Sequence, residues 1–321
     1  MFDEKRKVVL IGTGFVGMSM AYSIMNTGGI DELVLIDVNE EKAQGEAMDI
    51  SDGLPYAKSH MKVIAGNYHE CRDADIVVIT AGAAQKPGQT RLELAGINAK
   101  IIKNITKQVM SSGFNGIIVV ASNPVDLMSY VVKKVSGLPA NRVIGSGTIL
   151  DTARLRHKMC EYLNITSSNI HAYVLGEHGD SSFVSWDNAY VGCLKLYDYL
   201  DRKGIEHTEL EHIHQEVRDA AYKIIERKKA TYYGIGLSLN RLLQAILNDE
   251  NAILTVSAHQ DGQYTDEDIY IGVPAVVNRS GVKEIIKLDL NKNDQEKFNH
   301  SCKTLKQTIK ETIDQIIEDK A

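Results

Sequence analysis

Two short segments hold residues whose types and spacing could do chemistry. Gly12-Thr13-Gly14-Phe15-Val16-Gly17 is a GxGxxG run placed between the apolar stretch Val8–Ile11 and a helical pattern. In that setting Gly12 permits a tight turn, Gly14 lets the backbone approach a pyrophosphate, and Gly17 lets helix and strand pack closely. The helix N-terminus then offers unpaired N–H groups to the phosphates. Asp37 follows Gly17 by 20 residues at the end of a second apolar stretch. A carboxylate there can accept both hydroxyls of an adenine ribose and repels a 2′-phosphate, which predicts NAD rather than NADP. The other segment is Gly176-Glu177-His178-Gly179-Asp180. A histidine between glycines at a strand end faces a cleft, and an imidazole with a pKa of about 6.5 suits proton exchange at neutral pH. Taken alone, the same histidine would more often be a structural turn residue; the other segments tip the balance.

Those segments need a scaffold. Short Val- and Ile-rich runs at Val8–Ile11, Leu33–Ile36, Val63–Ile64, Ile76–Thr80, Ile117–Ala121 and Val143–Ile144 read as buried parallel strands. Helical spacing between most of them, as at Met18–Met25 and Asn98–Met110, points to a doubly wound α/β sheet of the Rossmann type. The second half differs. Helical patterns dominate at about 149–163, 208–227, 237–248 and 294–319, with β-like stretches at His171–Leu175, Ala252–Ala258, Ile269–Val277 and Lys283–Ile286. The expected division is therefore residues 1–145, a nucleotide-binding domain, and 146–321, an α+β substrate domain. The terminal helix reads as a charged, solvated surface element.

On this scaffold Lys42 and Tyr68 fall after the second and third strands, at the adenosine end, where both could also be plain surface residues. Gly82-Ala83 follows the fourth strand, where strand order reverses and a crevice opens. Small residues there suit the nicotinamide half of the cofactor. Asn104 on the next helix is assigned to the same channel.

Composition bounds the alternatives. The chain has 321 residues with 44% apolar and 24% charged residues, enough for a sizeable core. Its net charge of −6 gives no electrostatic reason to bind nucleic acid. No apolar run approaches the roughly 18 residues of a membrane span. Cys71, Cys160, Cys193 and Cys302 are scattered without a CxxC pair, and the charged N-terminus does not read as a signal peptide, so a reducing, cytoplasmic setting without a metal site is expected.

Five ordered segments, Gly12–Gly17, Ser122-Asn123-Pro124-Val125-Asp126, Leu150-Asp151-Thr152-Ala153-Arg154, Gly176–Asp180 and Ala230-Thr231-Tyr232-Tyr233-Gly234, together resemble the L-lactate/malate dehydrogenase family over nearly the whole chain. The resemblance implies that His178 is the proton donor and acceptor, that Asp151 fixes its tautomer and stabilises the imidazolium, and that Arg154 forks onto a substrate carboxylate. It implies that the segment Ala83–Arg91 is a closing lid whose Arg91 polarises the substrate carbonyl. Asn123 would bond the substrate oxygen and the nicotinamide ribose, and Thr231 and Ile235 would border substrate and nicotinamide. Val16, Ala121 and Ser122 join the cofactor contacts. A homotetramer is implied as well. Ala84, Lys229 and Asp187-Asn188 depart from the family's usual residues without touching a catalytic position.

Within the family, position 85 would face the substituent on the substrate's C3. The malate-type enzyme has an arginine there, whereas Gln85 is neutral. A second carboxylate would be buried without a partner charge, at a cost of several kcal/mol. Pyruvate and L-lactate are therefore expected over oxaloacetate and malate. A broader 2-hydroxyacid dehydrogenase, a non-catalytic NAD-binding sensor and an NAD-dependent glycoside hydrolase are the rivals. The last needs a Cys/His-held metal that the sequence does not suggest. Finally, Arg156 and His171 match positions that bind fructose 1,6-bisphosphate in allosteric bacterial relatives. Two such cationic pairs facing each other across a two-fold axis repel, and a bisphosphate relieves that repulsion.

Overall fold

The structure is a computed structural model that describes residues 5–83 and 91–318, with the side chain of Arg91 left out. The first half is a run of β1 (Lys7–Ile11), α1 (Phe15–Thr27), β2 (Glu32–Ile36), α2 (Glu40–Gly53), β3 (Lys62–Ala65), β4 (Ile76–Ile79), α3 (Arg91–Ser111), β5 (Ile117–Val120), α4 (Val125–Ser136) and β6 (Val143–Gly145). All six strands pair in parallel, in the order β3-β2-β1-β4-β5-β6. Order reverses between β1 and β4, which puts the crevice at the ends of those two strands. Strands β1, β2, β4 and β5 are buried at every position. Helices cover both faces, so these strands are apolar throughout rather than alternating, and each buried Val, Leu or Ile contributes about 1.5–3 kcal/mol.

The second half contributes α5 (Ile149–Leu163), β7 (Ile170–His171), β8 (Val174–Leu175), β9 (Phe183–Val184), β10 (Tyr190–Val191), β11 (Leu194–Lys195), α6 (Leu196–Lys203), α7 (Glu209–Lys228) and α8 (Tyr233–Leu247). It continues with β12 (Ala252–His259), β13 (Tyr270–Asn278), β14 (Gly281–Ile285), α9 (Lys292–Thr308), a π-helical turn at Ile309–Ile313 and α10 (Asp314–Glu318). The central sheet does not stop at residue 145. Strand β12 pairs antiparallel with β6 through Ser257 and Gly145, and β13 and β14 extend the sheet to nine strands. One apolar core accordingly runs through both halves, while α5, α6, α7 and the small strands enclose a second one.

Two sequence expectations change in detail. The stretch His171–Leu175 is not one strand. Ile170 and His171 pair with β10, whereas Val174 and Leu175 pair with β9 in a separate sheet. The terminal helix is also more than a solvated face, because Phe298, Cys302, Leu305, Ile309 and Ile313 are buried in the main core.

Candidate active site

The glycine turn after β1 is shaped by backbone contact. Gly12 has φ +105, and a Cβ there would lie 2.6 Å from the Ala81 backbone nitrogen. A Cβ on Gly17 would lie 2.2 Å from the Gly12 carbonyl oxygen and 2.8 Å from Thr80 Oγ1, which itself donates to that carbonyl. Gly14, in contrast, is exposed, and a Cβ there would meet nothing within 4 Å. Among the described residues no side chain caps the first turn of α1, so its N–H groups are open to a ligand, with Val16 half-buried beside them. This is a cradle for a phosphate.

Asp37 follows β2 directly. Its Oδ2 accepts from the Thr13 N–H at 2.7 Å and hydroxyl at 2.9 Å, and its Oδ1 accepts from the Asn39 N–H at 3.0 Å. Burial opposes its charge, but the Asn39 and Thr13 hydrogen bonds and nearby Lys42 outweigh it and hold the carboxyl below the usual range. The carboxylate is thus fixed to the glycine turn and stays ionised. Lys42 is exposed on α2, and half-buried Tyr68 lies close enough to Asp37 to feel its charge. These residues fit a dinucleotide with an unphosphorylated ribose.

Gly82 is exposed and Ala83 half-buried after β4. Their neighbour Asn98, almost fully buried on α3, accepts from the Ala83 N–H at 2.8 Å and donates to the Asn123 carbonyl at 2.7 Å. It clamps the two loops that flank the crevice. Ala121 donates its N–H to the Ile79 carbonyl at 2.9 Å, and Ser122 Oγ donates to the Ala81 carbonyl at 2.5 Å. Asn104 is exposed on α3, and Ile235 is half-buried in the first turn of α8.

His178 sits in the loop after β8. Gly176 exchanges two backbone hydrogen bonds of 3.0 Å with Gly272, which ties the loop's start to β13 in the central sheet. Two threonines at the start of α5 hold β8 itself. Thr148 Oγ1 donates to the Val174 carbonyl at 2.6 Å, and Thr152 Oγ1 accepts from the Val174 N–H at 3.0 Å. Asp151 lies between them in sequence, in the first turn of α5, where the helix dipole favours a carboxylate. The same clamp that fixes β8 therefore fixes Asp151 relative to His178. The His178 Nδ1···Asp151 Oδ2 distance is 2.7 Å, and Arg154 Nη1 donates to Asp151 Oδ1 at 3.2 Å.

The charges follow from these contacts. Burial acts against the Asp151 carboxylate, but His178 and Arg154 more than compensate and lower its pKa. Burial also acts against a protonated His178, and Asp151, with a further contribution from Asp126, outweighs both that and the repulsion from Arg154, so its pKa is raised. His178, Asp151, Arg154, Asn123 and Ala83 line one cavity of 360 Å³ among the described residues, together with Arg218 and Tyr222 of α7. A carbonyl beside His178 could receive a proton while a carboxylate pairs with Arg154.

Not every expected residue is seen at this cavity. Gln85 and the Arg91 side chain lie outside the described residues. Thr231 is half-buried in the link between α7 and α8 and does not line the cavity, although its neighbour Tyr232 stacks on Phe15 of α1 with ring centroids 5.1 Å apart. Arg156 is half-buried, with Nε donating to the Ala172 carbonyl at 3.4 Å and its guanidinium 5.0 Å from the centre of the Tyr173 ring. His171 is exposed on β7. Asn98, Thr148 and Thr152 escaped the sequence reading. Their only signal is a polar residue on a buried helix face or helix start, which does not name its partner.

A dinucleotide cradle at the switch point of a parallel sheet, joined to a His–Asp pair and an arginine, defines a nucleotide-dependent dehydrogenase. Comparison with known proteins gives the family. The NAD-binding domain of lactate/malate dehydrogenase matches residues 6–145, and the α/β C-terminal domain of lactate/malate dehydrogenase matches residues 148–316. The chain belongs to the lactate/malate dehydrogenase family, and its cofactor is NAD. It is 54% identical over 304 residues to L-lactate dehydrogenase 2 of Bacillus cereus, covering 94% of this chain and 97% of that one. It is 55% identical over 306 residues to L-lactate dehydrogenase of Priestia megaterium, covering 95% and 96%. Among solved structures, a lactate dehydrogenase enzyme from a Medee basin deep-sea metagenome library superposes with a TM-score of 0.94 at 54% identity, covering 96% of this chain and 99% of that one.

Proposed function

We propose that this chain is an NAD-dependent L-lactate dehydrogenase that interconverts pyruvate and L-lactate. The observation that carries the reading is the 2.7 Å pair between His178 Nδ1 and Asp151 Oδ2, opening with Arg154 and Asn123 onto one cavity. With Nδ1 engaged by Asp151, Nε2 is the nitrogen left to give a proton to the pyruvate oxygen or take one from the lactate hydroxyl. Arg154 holds the substrate carboxylate, and Asn123 bonds the reacting oxygen. When bound, the cofactor supplies or accepts the hydride. Gln85 acts from the segment between β4 and α3, selecting a neutral C3 substituent, and Arg91 from the first position of α3, polarising the carbonyl. Thr231 borders the substrate. The division of labour falls near residue 145, with the cofactor held by Gly12, Gly14, Val16, Gly17, Asp37, Lys42, Tyr68, Gly82, Ala83, Asn104, Ala121, Ser122 and Asn123, and by Ile235 from the second half.

The reading includes regulation and setting. Fructose 1,6-bisphosphate would bind at Arg156 and His171, drawing Arg156 off the Ala172 carbonyl and Tyr173 ring, and α5 would carry Arg154 with it. A homotetramer in the cytoplasm is the assembly we favour. Exposed Leu237 and Ile253 line an apolar groove beside α5, a surface of the kind that subunits cover. Among the described residues no helix is long and apolar enough to cross a membrane.

The test is NADH oxidation with pyruvate and with oxaloacetate, each with and without fructose 1,6-bisphosphate. Pyruvate should lead in kcat/KM by roughly a hundredfold or more, since an unpaired buried carboxylate costs several kcal/mol. Preference for oxaloacetate would overturn the substrate. A pyruvate saturation curve that ignores the bisphosphate would overturn the effector alone.

A further inference from the structure

Asp126 takes no part in the reaction as described, yet it is the most deeply buried carboxylate beside it, 2% exposed in the first turn of α4. Its two oxygens are used by two distant elements. Oδ2 accepts from the backbone N–H of His178 at 2.8 Å, and Oδ1 accepts from Ser257 Oγ of β12 at 2.6 Å. Ser257 is also the residue that pairs with Gly145 to join the second half to the parallel sheet. Asp126 therefore links three things: the start of α4, three residues after Asn123; the strand junction between the halves; and the peptide unit of the proton-transferring histidine.

A buried carboxylate is costly unless hydrogen-bonded. An asparagine of the same shape could accept from one of these donors without carrying charge, so the hydrogen bonds alone do not call for an acid. What the acid adds is a negative charge under His178. We infer that Asp126 is a positioning residue through which the cofactor-binding half fixes the His178 backbone and favours its protonated ring, independently of Asp151. The inference rests on the reading of His178 as the proton donor. Asp151 acts on the ring from α5 through Nδ1, whereas Asp126 acts from α4 through the backbone and through space.

The other charges around the imidazole must be counted. Asp151 and Arg154 face it from α5 with opposite signs, and Glu177 and Asp180 belong to its own loop. Arg218 and Tyr222 of α7 share its cavity, Arg218 donating to the Asp180 carbonyl and the Tyr222 hydroxyl to Asp180 Oδ1. Arg154 disfavours the imidazolium, and Asp151 and Asp126 oppose it. Burial pushes Asp126 up to about 6, against the pull of Ser257 and the His178 N–H, which leaves it ionised at neutral pH.

The experiment is Asp126→Asn in the full-length protein, read by pH profiles of kcat/KM in both directions and by NADH affinity. Pyruvate reduction needs protonated His178 and lactate oxidation needs it neutral, so both profiles turn at the same group. Removing a nearby negative charge should move both midpoints to lower pH, by about half to one unit, while the Kd for NADH changes less than about twofold. A purely structural role would lower the rate at all pH values and leave the midpoints in place; unmoved midpoints in both directions overturn the inference. Should the variant fail to fold, Ser257→Ala gives the same test. Losing that hydrogen bond makes Asp126 harder to ionise, so a smaller shift in the same direction is expected, and an unmoved midpoint again overturns the inference. His178→Asn separates the two levels. If it retains turnover, the underlying reading of His178 fails. If it loses turnover while Asp126→Asn leaves the midpoints unmoved, only the present inference fails.

Discussion

The cofactor cradle and the catalytic cavity are built in opposite ways. The cradle is made of backbone. Gly12 and Gly17 fit because they lack side chains, and the open space at Gly14 and the first turn of α1 present N–H groups whatever the neighbouring side chains are. Its working parts lie within one strand, turn and helix, with Asp37 added from the next strand. The cavity is lined by residues from several separated segments, tied together by polar contacts: Asp151 to His178, Thr148 and Thr152 to Val174, Asn98 to Ala83 and Asn123. A site of the first kind tolerates little added volume. A site of the second kind tolerates volume better than changes of charge and hydrogen bonding.

The sharpest break between them should come from His178→Asn. The side chain is smaller but can still donate toward Asp151 from near the Nδ1 position, and it cannot exchange a proton near neutral pH. Turnover should fall by roughly 10²–10⁴, the range expected for a lost acid/base group, while NADH affinity stays close to that of the wild type. Stopped-flow turnover and NADH fluorescence titration would check both halves of the statement. Near-normal turnover would mean that the proton comes from another group.

The reverse break is Gly17→Ala. Its Cβ would press on the Gly12 carbonyl, which belongs to the turn itself and cannot move aside cheaply. Overpacking of this kind costs roughly 1–3 kcal/mol, so NADH affinity should drop about tenfold or more, and the melting temperature should fall with it. The pH midpoint of the residual activity should stay where it is, because nothing around His178 has changed. A midpoint that moves with Gly17→Ala would show that the two regions are not as separate as their construction suggests.

The same contrast explains what could be read in the sequence. A backbone site leaves a local mark, so Gly12, Gly14, Gly17 and Asp37 stand out from spacing alone. The glycines around His178 mark a loop, but its partners lie 27 and 52 residues away at Asp151 and Asp126, and spacing does not connect them. Asp151 and Arg154 carry no local signal of their own and stand out only by resemblance to the family. The parallel strands were legible because burial on both faces makes them continuously apolar. That β12 joins β6 was not, since a single pairing between Ser257 and Gly145 decides it. Nor was the break between β7 and β8, where two short strands that belong to different sheets read as one apolar stretch.

The smallest effect at neutral pH concerns a second histidine in the same half. His214 of α7 is 6% exposed, and its Nε2 has no hydrogen-bond partner among the described residues. It packs beside Ile213 and Val217, which close the second core against Leu155 and Met159 of α5. Burial, followed by Arg218, drives its pKa down to about 4, with Glu211 and Asp151 opposing and Lys297 adding to the depression. This is the opposite of His178, whose partner carboxylate raises it. The sign for stability follows. Unfolded, His214 takes up a proton at about pH 6.5, whereas folded it does not until about pH 4, so between these values the unfolded chain binds more protons. The contribution of a neutral His214 is intact above about pH 6.5 and is lost as pH falls toward 4, amounting to about 2 kcal/mol by pH 5. Replacing it with leucine removes the titration and keeps an apolar side chain of similar bulk. Urea denaturation should therefore find His214→Leu close to the wild type at pH 7 and more stable by about 2 kcal/mol at pH 5. Equal losses in the two proteins between pH 7 and pH 5 would mean that His214 finds a proton partner in the folded state.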